Sequence, residues 1–378
     1  MASRRMWCSG IGVAALALPV ILGTSLSTAV ASTPSVHTVV SHLNNPRGLA
    51  VDASGRVWIA EGGSAGSNCQ GTGQDATCIG LTASVSMVDH GTLTRVVRGL
   101  ISVGGEGGVA TIGASSVTTA NGQIRALLGE SGFGVPPSGF PQRLLNAARS
   151  ELGELLTVKP SGTWTTLAAV GNHDYIWTSH HKFLQPDQFP DANPNAVALI
   201  GGRTFVADAG ANLLAEVTDR GGVKTLQYFR VPSGSPTDAV PTCVAKGPDG
   251  ALYVGELLGG TFAPGGARVW RVVVSGSTVH ASVWKRGFTT IQGCGFDKWG
   301  NFYATEFQID GLPSDNPAGD VVKIAPNGHR THLGTGQLFW PSGFAAAPDG
   351  SIYVSNCSIA PGAGFGPCPK GGQLVRIR

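Results

Sequence analysis

The feature that most constrains this chain is a short unit that recurs along its length. Its clearest copy, PDGALYVGE at 248–256, is typical of a tight turn, a short strand and an acidic residue. Five copies align on an aromatic residue in the strand: Trp58, Phe205, Tyr253, Tyr303 and Tyr353. The last three intervals are 48, 50 and 50 residues. A fixed period of this size is the signature of a repeat architecture.

Each copy predicts one four-stranded blade. An apolar strand precedes the turn, the aromatic strand follows it, and two further strands complete the unit, as at 269–274 and 279–284. The 147-residue gap between Trp58 and Phe205 contains one degenerate copy at 121–127, with Arg125 at the aromatic position. We therefore predict an all-β, six-bladed β-propeller.

The two ends of the repeat predict how the ring closes. The last strand, 373–377, is only the third of blade six, and the segment 36–42 supplies a candidate fourth. An N-terminal strand that completes the last blade leaves no free sheet edge. We expect a single propeller domain over 32–378.

The N-terminal segment is typical of a signal peptide. Arg4 and Arg5 precede an apolar run at 11–22, and Ala-Val-Ala at 29–31 is a small-x-small cleavage site. A permanent anchor helix is the alternative, but the run is shorter than the roughly 20 residues that span a bilayer. We expect cleavage after residue 31, secretion to the extracellular space and no membrane anchor afterwards.

The charge of the mature chain limits its partners. Arg4 and Arg5 leave with the signal, so 26 basic residues become 24, against 23 acidic ones. The remaining chain has no basic tract, which argues against nucleic acid as a partner. We expect a monomer whose partner is an unknown small molecule or protein.

The cysteines predict disulfides. Six remain after Cys8 leaves with the signal, and an even number on an exported chain favours pairing. Proximity in sequence favours two short pairs and leaves a third: Cys69–Cys78, Cys357–Cys368 and Cys243–Cys294. A zinc site is the alternative, but the chain has no C-x-x-C pair.

A polar residue stands three positions after the strand aromatic, and these positions should ring one mouth of the central channel. Together with residues just ahead of the inner strands they form the candidate ligand-binding set: Glu61, Asp208, Glu256, Glu306, Asn356, Asn193 and Arg47. The four carboxylates, Glu61, Asp208, Glu256 and Glu306, are candidate ligands for Ca²⁺, which prefers oxygen donors. The alternative is structural, because an acid repeated in most blades can cap a loop by accepting backbone N–H bonds.

Positions that depart from the repeat are better candidates for functional residues than positions that recur in most blades. In blade two the acid is shifted to Glu130, and blade six has Asn356 in its place. Insertions at 133–153, with helical spacing over 143–152, and at 171–194 are expected to form loops over one face, where specificity often resides. An acid-rich loop at 310–320 is a further candidate for Ca²⁺, although it lacks EF-hand spacing.

The blade sequence also carries a family resemblance. The stretch PRGLAVDASGRVWIAE at 46–61 is similar to NHL and gluconolactonase-type six-bladed propellers. The chain more closely resembles the ScyD/ScyE family of exported bacterial proteins, through NNPRGL at 44–49, GELLTV at 153–158 and GDVVKI at 319–324. The resemblance covers residues 36–378. It implies the fold and export, and it implies no reaction.

Two functional hypotheses follow. The first is an exported scaffold that binds a ligand or a protein at the channel mouth, without assigned activity or catalytic residues. The second is a Ca²⁺-dependent hydrolase or lactonase, in which metal-bound water or a mouth carboxylate acts as the base. A quinone-dependent sugar dehydrogenase is a third class, and the chain shows no evident His/Arg pair for it.

Overall fold

The computed structural model describes residues 35–230, 238–260 and 262–378. Within these residues nearly all regular structure is β, and there are two α-helices. The predicted signal segment, 1–31, lies outside the described residues.

The strands form six antiparallel sheets, each one blade of a propeller. The first strand, β1 (Val36–Leu43), belongs to the last blade. Blade one comprises β2 (Pro46–Val51), β3 (Val57–Glu61), β4 (Asn68–Gln70), β5 (Thr77–Asp89) and β6 (Thr92–Gly104). Blade two comprises β7 (Ala114–Ala120), β8 (Gln123–Leu128), β9 (Glu154–Val158) and β10 (Trp164–Ala169).

The remaining blades repeat this order from the innermost strand outward. Blade three comprises β11 (Pro194–Ile200), β12 (Arg203–Asp208), β13 (Leu213–Val217) and β14 (Val223–Tyr228). Blade four comprises β15 (Pro241–Lys246), β16 (Leu252–Glu256), β17 (Ala267–Ser275) and β18 (Thr278–Phe288). Blade five comprises β19 (Ile291–Phe296), β20 (Phe302–Glu306), β21 (Ala318–Ile324) and β22 (Arg330–Phe339). Blade six comprises β23 (Phe344–Ala346), β24 (Ile352–Asn356), β25 (Gly372–Ile377) and β1.

The predicted six-bladed propeller is therefore confirmed, including the degenerate copy, which forms β8 of blade two. Each innermost strand contacts the innermost strands of both neighbouring blades, so that β2 and β23 close the ring. The outer closure is also as predicted: β1 pairs antiparallel with β25, with Val36 opposite Ile377.

The aspartate of the recurring turn forms a hydrogen bond with the aromatic residue of the strand that follows it. Asp52 accepts the backbone N–H of Ser54 at 2.9 Å and the indole N–H of Trp58 at 3.0 Å. In blade five, Asp297 accepts the hydroxyl of Tyr303 at 2.9 Å in the same way. The aromatic ring packs between blades while its polar tip is bonded to the turn, which satisfies a group that would be costly to bury alone.

All three predicted disulfides are present. Cys69–Cys78 joins β4 to β5, and Cys357–Cys368 closes the loop between β24 and β25. Cys243–Cys294 joins β15 to β19, the innermost strands of blades four and five.

The two insertions differ from each other in how well the sequence predicts them. The helix expected near 143–152 is α1 (Gln142–Glu151). The prediction of a loop at 171–194 is wrong for the first half of this segment, which forms α2 (Val170–His180). The buried face of α2 carries the polar residues Asp174 and Thr178, so hydrophobic periodicity gives no helical signal. No helix in the described ranges is long and apolar enough to cross a membrane.

Candidate functional site

The repeated acid is buried in its own blade and caps the loop ahead of the innermost strand. In four blades its side-chain oxygen accepts a backbone N–H from that loop. The pairs are Asn44 to Glu61 (2.7 Å), Asn193 to Asp208 (2.8 Å), Thr289 to Glu306 (2.7 Å) and Phe339 to Asn356 (2.8 Å). This geometry agrees with the structural interpretation, in which the repeated residue caps a loop by accepting a backbone N–H bond.

Glu61 and Glu256 also form ion pairs inside their own blades. Glu256 forms a two-pronged ion pair with Arg268, at 2.7 and 2.9 Å, and also accepts the indole N–H of Trp270. Glu61 binds Arg95 of β6, with both nitrogen–oxygen distances 3.0 Å. Each carboxylate is thus neutralised inside one blade.

The four predicted metal ligands are therefore not brought together. Within the described ranges, they do not form a group whose ligand atoms lie within 4.8 Å of one another. Five members of the predicted mouth set are at most 5% exposed: Glu61, Asp208, Glu256, Glu306 and Asn356. The other two, Arg47 and Asn193, line a cavity of about 50 Å³ at the channel mouth. Ligand binding by this set stays a prediction.

The channel itself is narrow and polar. The six innermost strands enclose a cavity of about 160 Å³ with hydroxyl and amide groups on its wall, among them Ser116, Thr242 and Gln292. Arg47 stands at its mouth and donates to the carbonyl of Thr111 at 3.2 Å. Burial lowers the pKa of Arg47 to about 10, so it remains cationic at neutral pH.

Blades two and three bring several acids together where the insertions meet the repeat. Asp174 of α2 and Asp208 of β12 are both fully buried, and each has an oxygen without a hydrogen-bond partner in the described residues. Burial raises the pKa of Asp174 to about 7, and burial together with Asp174 raises that of Asp208 well above its usual range. Burial and proximity therefore disfavour ionisation of both carboxyls at once.

Glu130 belongs to the same acidic region and also faces an apolar cavity. Burial, followed by the charges of Asp191 and Asp208, raises its pKa to about 7. Its backbone is left-handed, with φ of 64°, which is uncommon for a residue with a side chain. Asn193 Oδ1 accepts the Glu130 N–H at 3.2 Å and so ties this strained residue to the channel mouth.

The apolar cavity has a volume of about 290 Å³ and lies between α1 and blades one and two. Its wall includes Val103, Ile112, Phe140 and Leu145, and Glu130 is its only ionisable residue among those described. Ile112 also lines the mouth cavity, so the two spaces are neighbours. The sequence identified Glu130 as a shifted acid, but it gave no signal of the cavity, whose wall comes from segments far apart in the chain.

The histidines of the second insertion do not form a metal site in the described structure. His173 Nδ1 lies 2.8 Å from Asp174, and the ring of His181 stacks on Trp177 with centroids 3.9 Å apart. Their contacts serve the packing of α2.

Comparison with known proteins supports the fold alone. No protein-family profile and no curated protein matches the sequence. Among solved structures, a proposed gluconolactonase matches with a TM-score of 0.54 at 12% identity, covering 92% of each chain. Regucalcin, a calcium-binding protein from Agrobacterium tumefaciens, matches with a TM-score of 0.51 at 13% identity, covering 91% of this chain and 93% of its own. The PQQ-bound aldose sugar dehydrogenase of Streptomyces coelicolor matches with a TM-score of 0.50 at 12% identity, covering 92% and 99%.

These structures share the propeller fold of this chain. Their named activities differ from one another, and each belongs to the protein that carries it. At such low identity a shared propeller does not transfer a reaction, because function on this fold resides in the site and not in the scaffold.

Proposed function

We propose that this protein binds a small, mainly apolar molecule with one basic or hydrogen-bonding group in the cavity beside α1. The observation that carries the proposal is the position of Glu130 as the lone ionisable group on an otherwise mainly apolar wall. The volume of about 290 Å³ is at the lower end of the range for small-molecule sites.

The chemistry of Glu130 suits such a ligand. With a pKa of about 7, its carboxyl can donate or accept a hydrogen bond at neutral pH. A cationic amine bound beside it would favour the carboxylate and lower that pKa. The apolar wall would contribute most of the affinity, and Glu130 would select the orientation.

The test is to fill the cavity and follow a neutral apolar probe. Gly134 lines the cavity, and a Cβ added there meets no atom within 4 Å. Gly134→Leu should fold and weaken binding of N-phenyl-1-naphthylamine, followed by fluorescence, by at least about tenfold, since about 1.4 kcal/mol of lost contact suffices. Gly105→Leu is the matched control, because its added Cβ has its nearest neighbour at 4.0 Å and lies outside the cavity. Equal binding by all three proteins would contradict the proposal.

The alternative function is a Ca²⁺-dependent hydrolase or lactonase. It is supported by the similarity to regucalcin and to the proposed gluconolactonase, and by the crowding of Glu130, Asp174 and Asp208. Bound Ca²⁺ would neutralise these acids and supply an activated water. The structure favours Asp208 over Glu256 as a ligand, because Arg268 already neutralises Glu256.

Calorimetric titration with Ca²⁺ tests this alternative. Binding by the wild type that Asp208→Asn abolishes and Glu256→Gln retains would support it, and a panel of lactones and esters would then test turnover. No heat of binding at millimolar Ca²⁺ would remove it, and Glu130 would keep its role in the first proposal.

We infer that the chain is exported and belongs to the ScyD/ScyE family. Support for export comes from the signal-like segment at 1–31 and from three disulfides, which persist in oxidising compartments. Support for the family comes from the motifs at 44–49, 153–158 and 319–324. Protein secreted by an expressing bacterium should begin at Ser32 on N-terminal sequencing. An intact N-terminus on protein retained in the cytoplasm would overturn the inference of export.

A further inference from the structure

We propose that blade five binds a divalent transition-metal ion, such as Zn²⁺, between Glu306, Asp320 and His332. These residues come from β20, β21 and β22, three adjacent strands of one blade. One ligand atom from each lies within 4.8 Å of the other two. The site is distinct from the cavity beside α1 and does not depend on the proposed ligand-binding function.

The repeat supplies an internal comparison for this site. The residue opposite the repeated acid across the second and third strands differs from blade to blade. It is Ser84 opposite Glu61, Arg268 beside Glu256, and Asp320 opposite Glu306. Blades one and four therefore give the buried acid a hydrogen-bond donor, whereas blade five gives it a second acid.

Two buried carboxylates facing each other need a cation or a shared proton. Glu306 is 5% exposed and Asp320 is 2% exposed. Asp320 Oδ2 contacts His332 Nδ1 at 2.6 Å, but its Oδ1 is buried and has no hydrogen-bond partner within 3.5 Å in the described structure. A metal ion would satisfy this oxygen and balance the second negative charge.

The charge of Arg330 favours both carboxylates, but no ion pair joins Arg330 to either acid in the described structure. The Arg330 guanidinium is bonded to the carbonyls of Arg286 and Gly287 and lies 4.4 Å from the centroid of the Phe288 ring. The Thr335 hydroxyl is close enough to favour the Asp320 carboxylate, but it carries no charge. The second negative charge is therefore left to be balanced by a shared proton, by His332 or by a metal ion.

The donor set indicates the class of metal. One imidazole and two carboxylates are ligands of zinc and its neighbours, whereas Ca²⁺ takes six to eight oxygens. Three protein ligands leave a fourth position for water, as in open zinc sites. The His332 side chain is 48% exposed, which gives an ion a route from solvent.

The acid-rich loop at 310–320 does not form this site as a unit. Asn316 Nδ2 donates to Asp310 Oδ2 at 2.7 Å within the loop, whereas Asp320 lies in β21 and faces Glu306. Only the last acid of that run takes part, and its partners come from strands 14 residues before it and 12 after it.

The experiment titrates the full chain with Co²⁺, which reports on a zinc-type site through its visible absorption, and then displaces it with Zn²⁺. Wild type should bind one Co²⁺ per chain, and Zn²⁺ should raise its Tm. His332→Ala and Asp320→Asn should each weaken binding by more than the roughly 10–100-fold that loss of an outer-shell partner costs. His329→Ala, an exposed histidine ahead of the same strand, should bind as the wild type does.

A second variant guards against loss of binding through misfolding. Asp320→Arg recreates the Glu256–Arg268 pair of blade four, so it should fold, match or exceed the Tm of metal-free wild type, and bind no Co²⁺. The proposal is overturned if wild type shows no stoichiometric Co²⁺ absorption, or if His332→Ala binds as tightly as His329→Ala. It is also overturned if Asp320→Arg binds Co²⁺ as tightly as the wild type.

Discussion

The residue three positions after the strand aromatic takes a different partner in almost every blade. Its capping bond to the loop recurs, but the rest of its environment changes from Arg95 beside Glu61 to Asp174 beside Asp208 and Asp320 beside Glu306. The sequence predicted these positions because they follow the repeat. It did not predict the partners, because they come from third and fourth strands or insertions whose spacing varies.

The buried ion pair in blade four gives a prediction of stability. Glu256→Gln should lower the free energy of unfolding by about 3 kcal/mol, because it leaves the buried Arg268 guanidinium without a counter-charge. Urea unfolding of the purified protein measures this. The control is Glu216→Gln, whose partner Arg203 has a side chain 45% exposed and whose loss should cost less than about 1 kcal/mol. Equal losses in the two variants would show that burial does not set the strength of the pair.

The buried acids of blades two and three predict an unusual dependence of stability on pH. The pKa of Glu130, Glu154 and Asp174 is about 7 in the folded chain, compared with 4.5, 4.5 and 3.8 ordinarily. The folded state therefore binds more protons than the unfolded state between about pH 4 and pH 7, so the free energy of unfolding falls as pH rises through that window.

Thermal unfolding at pH 5 and pH 8 measures this effect. The Tm of the wild type should be higher at pH 5, and Glu154→Gln should reduce the difference because it removes one of the titrating groups. Asp219→Asn, an exposed turn residue, should leave the difference unchanged. A Tm that rises from pH 5 to pH 8 would show that these carboxyls are ionised in the folded chain.

At the scale of elements, the sequence predicts those whose apolar residues are periodic. Helix α1 is predicted because Leu144, Leu145 and Ala148 form one buried face. Helix α2 is missed because Thr178 is buried by hydrogen bonding, its hydroxyl donating to the carbonyl of Asp191 at 2.9 Å. A helix held by polar contacts leaves no trace in a hydrophobic pattern. The cavity beside α1 is missed for a related reason, since it is a space between elements and not a property of any one of them.

The three disulfides should differ in what they contribute, because they close loops of different length. Cys243–Cys294 closes a separation of 51 residues, and Cys69–Cys78 closes one of 9. On chain-entropy grounds the first should stabilise the fold by about 4 kcal/mol and the second by about 2.5 kcal/mol. Paired Cys→Ala variants compared by denaturant unfolding test this order. A larger loss for the short hairpin pair would contradict the entropic account.

At the scale of the whole molecule, period and closure were both predictable, because each follows from counting copies. Six copies with a missing last strand leave one place for the N-terminal segment, and β1 fills it. What counting cannot predict is asymmetry. The cavity, the acid group and the blade-five cluster all arise where the copies differ, and a single sequence shows such differences without showing their consequence.

Closure predicts the effect of removing β1. A chain that begins at Asn44 should lose cooperative unfolding and aggregate, because the edge of β25 is exposed and Leu374 loses its packing against Leu43. A chain that begins at Ser35 should behave as the mature protein does. Adding a peptide of residues 35–43 to the shortened chain should restore a cooperative transition in calorimetry by strand addition. A shortened chain that melts cooperatively without the peptide would show that β1 is dispensable.

The pairing of β1 with β25 also sets an order of events during synthesis. Strand β1 leaves the ribosome long before its partner β25, and the backbone groups of Ser35 and Arg378 bond to each other at 3.1 and 3.3 Å. At 5–20 residues per second, β1 waits roughly 20–70 s for its partner to be made. Throughout that time β1 lacks its partner strand. Only a chain that extends through β25 can pair with β1, so a chain whose synthesis stops before β25 leaves β1 unpaired.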